Sequence, residues 1–390
     1  MPLYKKISEL ILFCAQFALS LQPTMAKKRK LSTWAILRGL MKRVRIRHWI
    51  LIVWIGTVLL FQQVEGWGEY YARHLYPTIG KALSSLSGKV DFCLSDTFYF
   101  LLIGLALLWI PISIWMLKRK KKRLLADFTE AALWLYVWFY SAWGLNYWQD
   151  NFYLRTGVGY VEYSSNSLGA YVSAYIYDLN DAYVPVEDID SMLVKQEILK
   201  SYEAIYAQTG MNKPLNTDPQ VKTMFITPLA SMVAVTGSMG PFFGEFTING
   251  EVLPVDYPHI YAHELSHLYG ITSEGEANFY AYLACLHSDV PEIRFSGLLS
   301  VFSHLMNNVR TLMGESSYAH LIKQVRPEIR LLVRDRQAYW MDRYNPYIGK
   351  MQDLMYDFYL RQHRIEGGRK NYSAVVGLLM AWDERQKVSP

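Results

Sequence analysis

Apolar positions along this chain follow two regimes. In the first they form long, nearly unbroken runs: "HWILIVWIGTVLLFQQV" at 48–64, "TFYFLLIGLALLWIPISIWML" at 97–117 and "LLADFTEAALWLYVWFYSAWGLNY" at 124–147. Runs of about 20 residues match the roughly 30 Å of bilayer hydrocarbon, so the pattern predicts three transmembrane helices. The third run carries Asp127, Glu130 and Asn146. An ionisable group at such depth faces a bundle interior, which assigns Glu130 to packing or a helix end rather than to a proton relay. Beyond residue 148 the pattern becomes amphipathic. Helical spacing appears over 169–182 and again over 190–208, where Leu193, Ile198 and Ile205 recur among charges. Residues 221–254 are rich in β-branched and aromatic types punctuated by Gly and Pro, which predicts a small sheet. Helical pattern then continues through 297–313, 328–344, 351–365 and 371–382. The fold class expected is α+β, predominantly helical, with three N-terminal transmembrane helices ahead of a domain that holds the small sheet.

Composition supports this division. The chain of 390 residues is 52% hydrophobic and only 19% charged, more apolar than an ordinary soluble domain. Its net charge of +6 resides in two blocks, at 27–48 and 118–123, each abutting an apolar run. That placement is a topology signal rather than a nucleic-acid footprint, and it puts both blocks on the cytoplasmic side of an inner membrane. Three regions follow: a basic cytoplasmic segment at 1–47, a membrane region at 48–147, and an extracytoplasmic or periplasmic domain at 148–390. Residues 1–25 read either as a signal-like stretch or as an over-extended start ahead of Met25. Cys14, Cys93 and Cys285 are far apart and lack metal-type spacing, so neither a disulfide framework nor a cysteine-bound metal is expected.

The chemistry concentrates in "YAHELSHLYGITSEGEANF" at 261–279. Asp256 before Pro258 predicts a helix start, and Gly270 a stop. Between them His263 and His267 are four apart and project from one face, with Glu264 beside them, which is the HExxH arrangement. Neutral imidazoles bind Zn²⁺ at about 2.0–2.1 Å, the ion lowers the pKa of bound water towards about 7, and a carboxylate such as Glu264 can act as general base. A catalytic zinc needs a third protein ligand. A second helix starting at Ser273 would bury Ala277, Tyr280, Leu283 and Ala284, and its first turn would present Glu276 to the histidines, with Glu274 as the spare. Ser273 and Glu276 also satisfy the S-x-x-E capping pattern, which would account for the glutamate without a metal. His259 and His287 read as surface or satisfied core histidines, and Cys285 as packing. "PFFGEFTING" at 241–250 reads either as an edge strand able to pair with an extended peptide or as an ordinary hairpin strand.

At "HELSHLYGITSEGEANFYAYLAC" the sequence resembles the glutamate-zincin superfamily of metallopeptidases, and more narrowly the bacterial membrane domain-of-unknown-function family 3810. The stretches "SAWGLNYWQDNFYL", "GPFFGEFTIN" and "YDFYLRQHRIEGGRKNYSAVVGLLMAW" are similar too, so the resemblance spans about 49–382. It implies a zincin-like metallopeptidase domain with zinc on His263, His267 and Glu276, and Glu264 as general base. Asn278 stands where related zincins often carry Asp, so an amide would support His263. Tyr372, in the similar C-terminal stretch, is the candidate oxyanion donor, with a core tyrosine as the alternative reading of it. The function expected is a membrane-anchored zinc metallopeptidase acting on a peptide or protein substrate of the cell envelope, with the lipid bilayer as its other partner. The alternative is a membrane-anchored zinc- or peptide-binding scaffold without turnover.

Overall fold

The computed structural model describes residues 45–215, 218–350, 352 and 374–388. Tyr372, Cys14, most of the first basic block and nearly all of the helix expected at 351–365 lie outside the described residues.

The chain is mainly helical, with a small three-stranded sheet. Helix α1 (Ile46–Gln63) leads into a bent stretch, α2 (Trp67–Tyr70) and α3 (Tyr76–Ser87), joined by a π-turn at Tyr71–Leu75. Helix α4 (Leu94–Pro111) is extended by a π-turn to Met116, and α5 (Lys121–Ala142) is followed by a 3₁₀ turn at Gly144–Trp148. Among the described residues two helices, not the expected three, are long and apolar enough to cross a membrane: α1 and the stretch Leu94–Met116. The third run does fold as α5, but Asp127 and Glu130 interrupt it. Both carboxylates have partners: Asp127 pairs with Arg119 at 2.5 Å, and Glu130 with Arg47 of α1 at 2.8 Å. The rest of α5 lies along α1. Leu51 and Ile55 pack with Val137, and the Trp54 indole donates to Ser141 Oγ at 2.7 Å.

The remaining elements build one core. Helices α6 (Phe152–Thr156), α7 (Ser165–Asp181) and α8 (Ser191–Ile205) precede β1 (Lys222–Thr223), α9 (Thr227–Ser231), β2 (Gly237–Gly240) and β3 (Glu245–Ile248). Then come α10 (Tyr257–Leu268), α11 (Glu274–His287), α12 (Pro291–Ile322), α13 (Pro327–Arg343) and α14 (Ala374–Val388). Helices α10 and α11 sit at the centre, where Leu265, Leu268, Phe279 and Tyr280 are fully buried. They meet Val172 of α7, Ile198 of α8, Phe295 of α12 and Val376 of α14 in one cluster. This core does not begin at residue 148: Val58, Tyr71, Tyr76, Tyr140 and Trp143 belong to it as well.

The sheet order is β1-β3-β2, with β1 parallel and β2 antiparallel to β3. Within "PFFGEFTING", residues 241–244 form a turn and Glu245–Ile248 is the central strand, so the edge falls one strand earlier, on β2. Strand β3 is buried along its whole length, Glu245 included. That carboxylate remains inside because Lys222 Nζ reaches it at 2.6 Å and the Ser95 backbone N–H, at the start of α4, donates to it at 2.5 Å.

Candidate metal centre

Pro258 in the first turn and the missing interior helix breakers make α10 a regular helix, so His263 and His267 share a face. Asp256 occupies the N-cap position without capping; its carboxylate is drawn instead to the Arg336 guanidinium of α13. Gly270 closes the helix with φ +92, a conformation open to Gly and strained for other residues, and this turn swings the chain back into α11. Ser273 caps α11 by accepting from the Glu276 N–H at 3.3 Å.

The structure brings Glu274, not Glu276, to the imidazoles. His263 Nε2 and His267 Nε2 lie 3.1 Å apart, and Glu274 Oε2 is 3.2 Å from the first and 3.7 Å from the second. Ligand atoms about 2.0–2.1 Å from a tetrahedral zinc stand roughly 3.3–3.4 Å apart, so the three atoms outline one face of such a site. Each imidazole is also oriented from behind. His263 Nδ1 lies 3.1 Å from Asn278 Oδ1, and His267 Nδ1 lies 2.7 Å from the Ile271 carbonyl. With Nδ1 protonated towards those oxygens, both Nε2 lone pairs face the shared centre. Thus the amide of Asn278 occupies the supporting position expected of it.

Glu276 is used elsewhere. Its buried carboxylate accepts the Phe152 N–H at 2.9 Å, at the start of α6. Burial pushes its pKa up, opposed by that hydrogen bond and by Arg155. The S-x-x-E capping pattern is therefore half realised: Ser273 caps, while Glu276 caps another helix.

Electrostatics in the cluster are strongly coupled. Burial alone would raise the Glu274 carboxyl, but the His267 charge and hydrogen bonds from both imidazoles hold it well below the carboxylate range. Burial works against a charged His267, yet the Glu274 and Glu264 carboxylates outweigh it and bring that imidazole up to about 9. Burial raises Glu264, against the opposing pull of the two histidines. Its Oε2 has no hydrogen-bond partner among the described residues. A buried carboxylate oxygen left open costs stability, and a site that uses it as a proton acceptor has reason to leave it so.

Strand β2 lies directly over Glu264. A Cβ built on Gly237 would fall 2.6 Å from Glu264 Cγ and 2.7 Å from Cδ, so a side chain there cannot coexist with the carboxylate in place. Residues 233–239, the histidines, Glu264 and Glu274 line one cavity of about 1190 Å³. Its lining also includes an aromatic group: Tyr99 of α4, Tyr136 and Phe139 of α5, and Trp143 just after α5. His304 of α12 and half-buried His259 line it too, while His287 is exposed and Cys285 is fully buried in packing. Burial pushes His259 down to about 3, helped by the neighbouring His263 and His304.

Neither Gly237 nor the aromatic wall stands out in the sequence, because nothing local marks a residue whose importance comes from a distant neighbour. The same holds for the residues that fix the end of α10. Trp143 Nε1 donates to the His267 carbonyl at 2.9 Å, Tyr76 OH to Leu268 at 2.5 Å, Asn212 to Tyr269 at 2.9 Å and Gln149 to Gly270 at 2.6 Å. Four consecutive carbonyls, which helix geometry leaves without regular partners, are each taken by a side chain.

The family described as "Protein of unknown function (DUF3810)" matches residues 71–380, a span that contains the whole centre. No curated protein and no solved structure matches the chain.

Proposed function

The chain belongs to the DUF3810 family, and from that premise we propose that it is a membrane-anchored zinc metallopeptidase of glutamate-zincin type. The observation that carries the reading is the convergence of His263, His267 and Glu274 within 4.8 Å of one another, beside a buried Glu264. Two imidazoles and a carboxylate are a donor set suited to zinc, and they leave a fourth position open towards the cavity. Bound zinc would supply a Lewis acid for an oxygen ligand there. Glu264 takes a proton from the attacking water and returns it to the leaving amine nitrogen, a task that its burial-raised basicity favours. Among the described residues β2 is an edge strand, and that edge pairs with an extended substrate backbone and brings the scissile carbonyl alongside the centre.

Topology follows from helix direction. Helices α1, α4 and α5 meet the core at Phe61, Phe98 and Trp143, and their opposite ends carry Arg45, Arg47 and the 118–123 block. Basic residues at one common end support a topology with that end in the cytoplasm and the metal centre outside. Helix α5 then runs back alongside α1 to the core, its charges matched by Arg47 and Arg119.

The test is metal content of the full-length protein in detergent, by mass spectrometry, after supply and removal of excess zinc. One zinc per chain is expected in wild type and Glu276→Ala, with sharply reduced retention in Glu274→Ala. Glu264→Gln is expected to keep zinc and lose peptide hydrolysis. A folded wild-type protein that takes up no zinc overturns the proposal.

A further inference from the structure

The cleft over the metal centre has one peptide-like wall and one membrane-like wall. On one side is the β2 edge. On the other stand Tyr99 of α4 and Leu135, Tyr136, Phe139 and Trp143 of α5, with Phe242 at the turn between β2 and β3. Helix α4 is the more exposed of the two apolar helices among the described residues, its apolar window only 6% buried, and it docks on the core through its first turns, where Phe98 packs on Phe242 and Phe243. Further along, Phe100, Leu101, Ile103, Leu105 and Leu108 are exposed to whatever surrounds the helix. Helix α5 is tied to α1 instead, through Val137 and Ser141. At their far ends α4 and α5 are joined by Arg119–Asp127, while at the core end both helices line the cavity. The cleft therefore shares Tyr99 with the helix whose later turns expose the apolar surface, and its wall there carries the tyrosines and tryptophan that favour a membrane interface.

Resting on the peptidase reading of the site, we propose that the substrate is a membrane-anchored polypeptide cut in its juxtamembrane stretch. Its extended backbone pairs with β2. Its apolar residues leave the bilayer between α4 and α5 and rest against Leu135, Phe139 and Tyr99. A soluble polar peptide would match that apolar wall poorly; an anchored one brings an apolar flank that suits it. Anchoring also confines the substrate to the plane of the membrane, which raises its effective concentration at the cleft.

The test uses the full-length protein in phospholipid nanodiscs, with a photo-crosslinking residue at position 139. One probe is a polar octapeptide followed by an apolar anchor of about 20 residues, and the other is the same octapeptide alone. The expected result is at least tenfold more crosslinking of the anchored probe, lost in Leu135→Asn that retains wild-type zinc content and melting temperature. Equal capture of the two probes, or capture unchanged by Leu135→Asn, overturns the proposal. Crosslinking to phospholipid in place of peptide overturns it as well, and marks the cleft as a lipid site. Crosslinking does not require turnover, so it is separable from the peptidase reading: a chain that binds no zinc refutes that reading alone, and a zinc-loaded chain that cleaves the soluble octapeptide equally well refutes only the anchored substrate.

Discussion

Replacing Gly237 by Ala isolates the close approach of β2 to the presumptive base. The added methyl would stand 2.6–2.7 Å from Glu264 Cγ and Cδ, about 0.7–0.8 Å inside ordinary contact. Glu264 is buried on the central helix α10, and the backbone of β2 is held by its ladder to β3, so neither partner yields freely. Overpacking of this kind costs about 1–3 kcal/mol. The effect should disappear when its partner is shortened: in a Glu264→Ala background the methyl enters space that the carboxylate has vacated. Equilibrium unfolding in mixed micelles of wild type, both single variants and the double variant gives the coupling directly. A coupling of at least about 1 kcal/mol is expected, and additivity within about 0.5 kcal/mol would refute the contact. Hydrolysis offers a second reading, since displacing a catalytic group by about 1 Å lowers turnover on the order of 100-fold while zinc is retained.

Zinc affinity should depend on pH through His267. Its imidazole is held up to about 9 in the metal-free fold, so between the unfolded value near 6.5 and that pH a proton must leave before zinc binds; affinity should rise about tenfold per pH unit and flatten above pH 9. The same raised pKa stabilises the metal-free fold below about pH 6.5, and that contribution is lost as pH rises through 9; calorimetric titration and melting across this range check both, and a flat affinity profile would contradict the assignment. Glu276→Ala should cost about 1–3 kcal/mol by stranding the Phe152 N–H, whereas Glu276→Gln, which keeps an acceptor oxygen, should recover most of it in the same unfolding assay. Trp143→Phe removes the donor to the His267 carbonyl and should weaken zinc about 10–100-fold; unaltered zinc affinity would show that the α5 contact does not orient the ligand.

What the sequence discloses about the centre is what local periodicity can carry. His263, Glu264 and His267 are legible because a four-residue interval on a helix fixes a common face whatever packs around it. Glu274 and Glu276 share the first turn of α11, about 200° apart around the axis, so only one can face the histidines. The choice is made by Phe152 and Arg155, more than 100 residues upstream, which draw Glu276 into the core. The third apolar run illustrates the same limit. Asp127 and Glu130 look discordant in isolation and become ordinary once Arg119 and Arg47 are placed beside them. The stretch 67–87 carries no functional signal at all, yet it supplies Tyr76 to the end of the metal helix and Glu69 to the buried Arg155.

These long-range contacts change what counts as the functional unit. The last carbonyls of α10 are partnered by Tyr76, Trp143, Gln149 and Asn212, three of which precede residue 150. A segment cut at that point would leave three carbonyls at the turn between the metal helix and Glu274 without their donors, and would expose Leu145 and Phe152 contacts that the core relies on. That turn sets the distance between the two histidines and the carboxylate, so loss of its donors reaches the centre itself. Side chains from the segments that flank the apolar helices are thus the clamp that shapes the candidate metal centre, which ties the geometry of that centre to the first 150 residues of the chain.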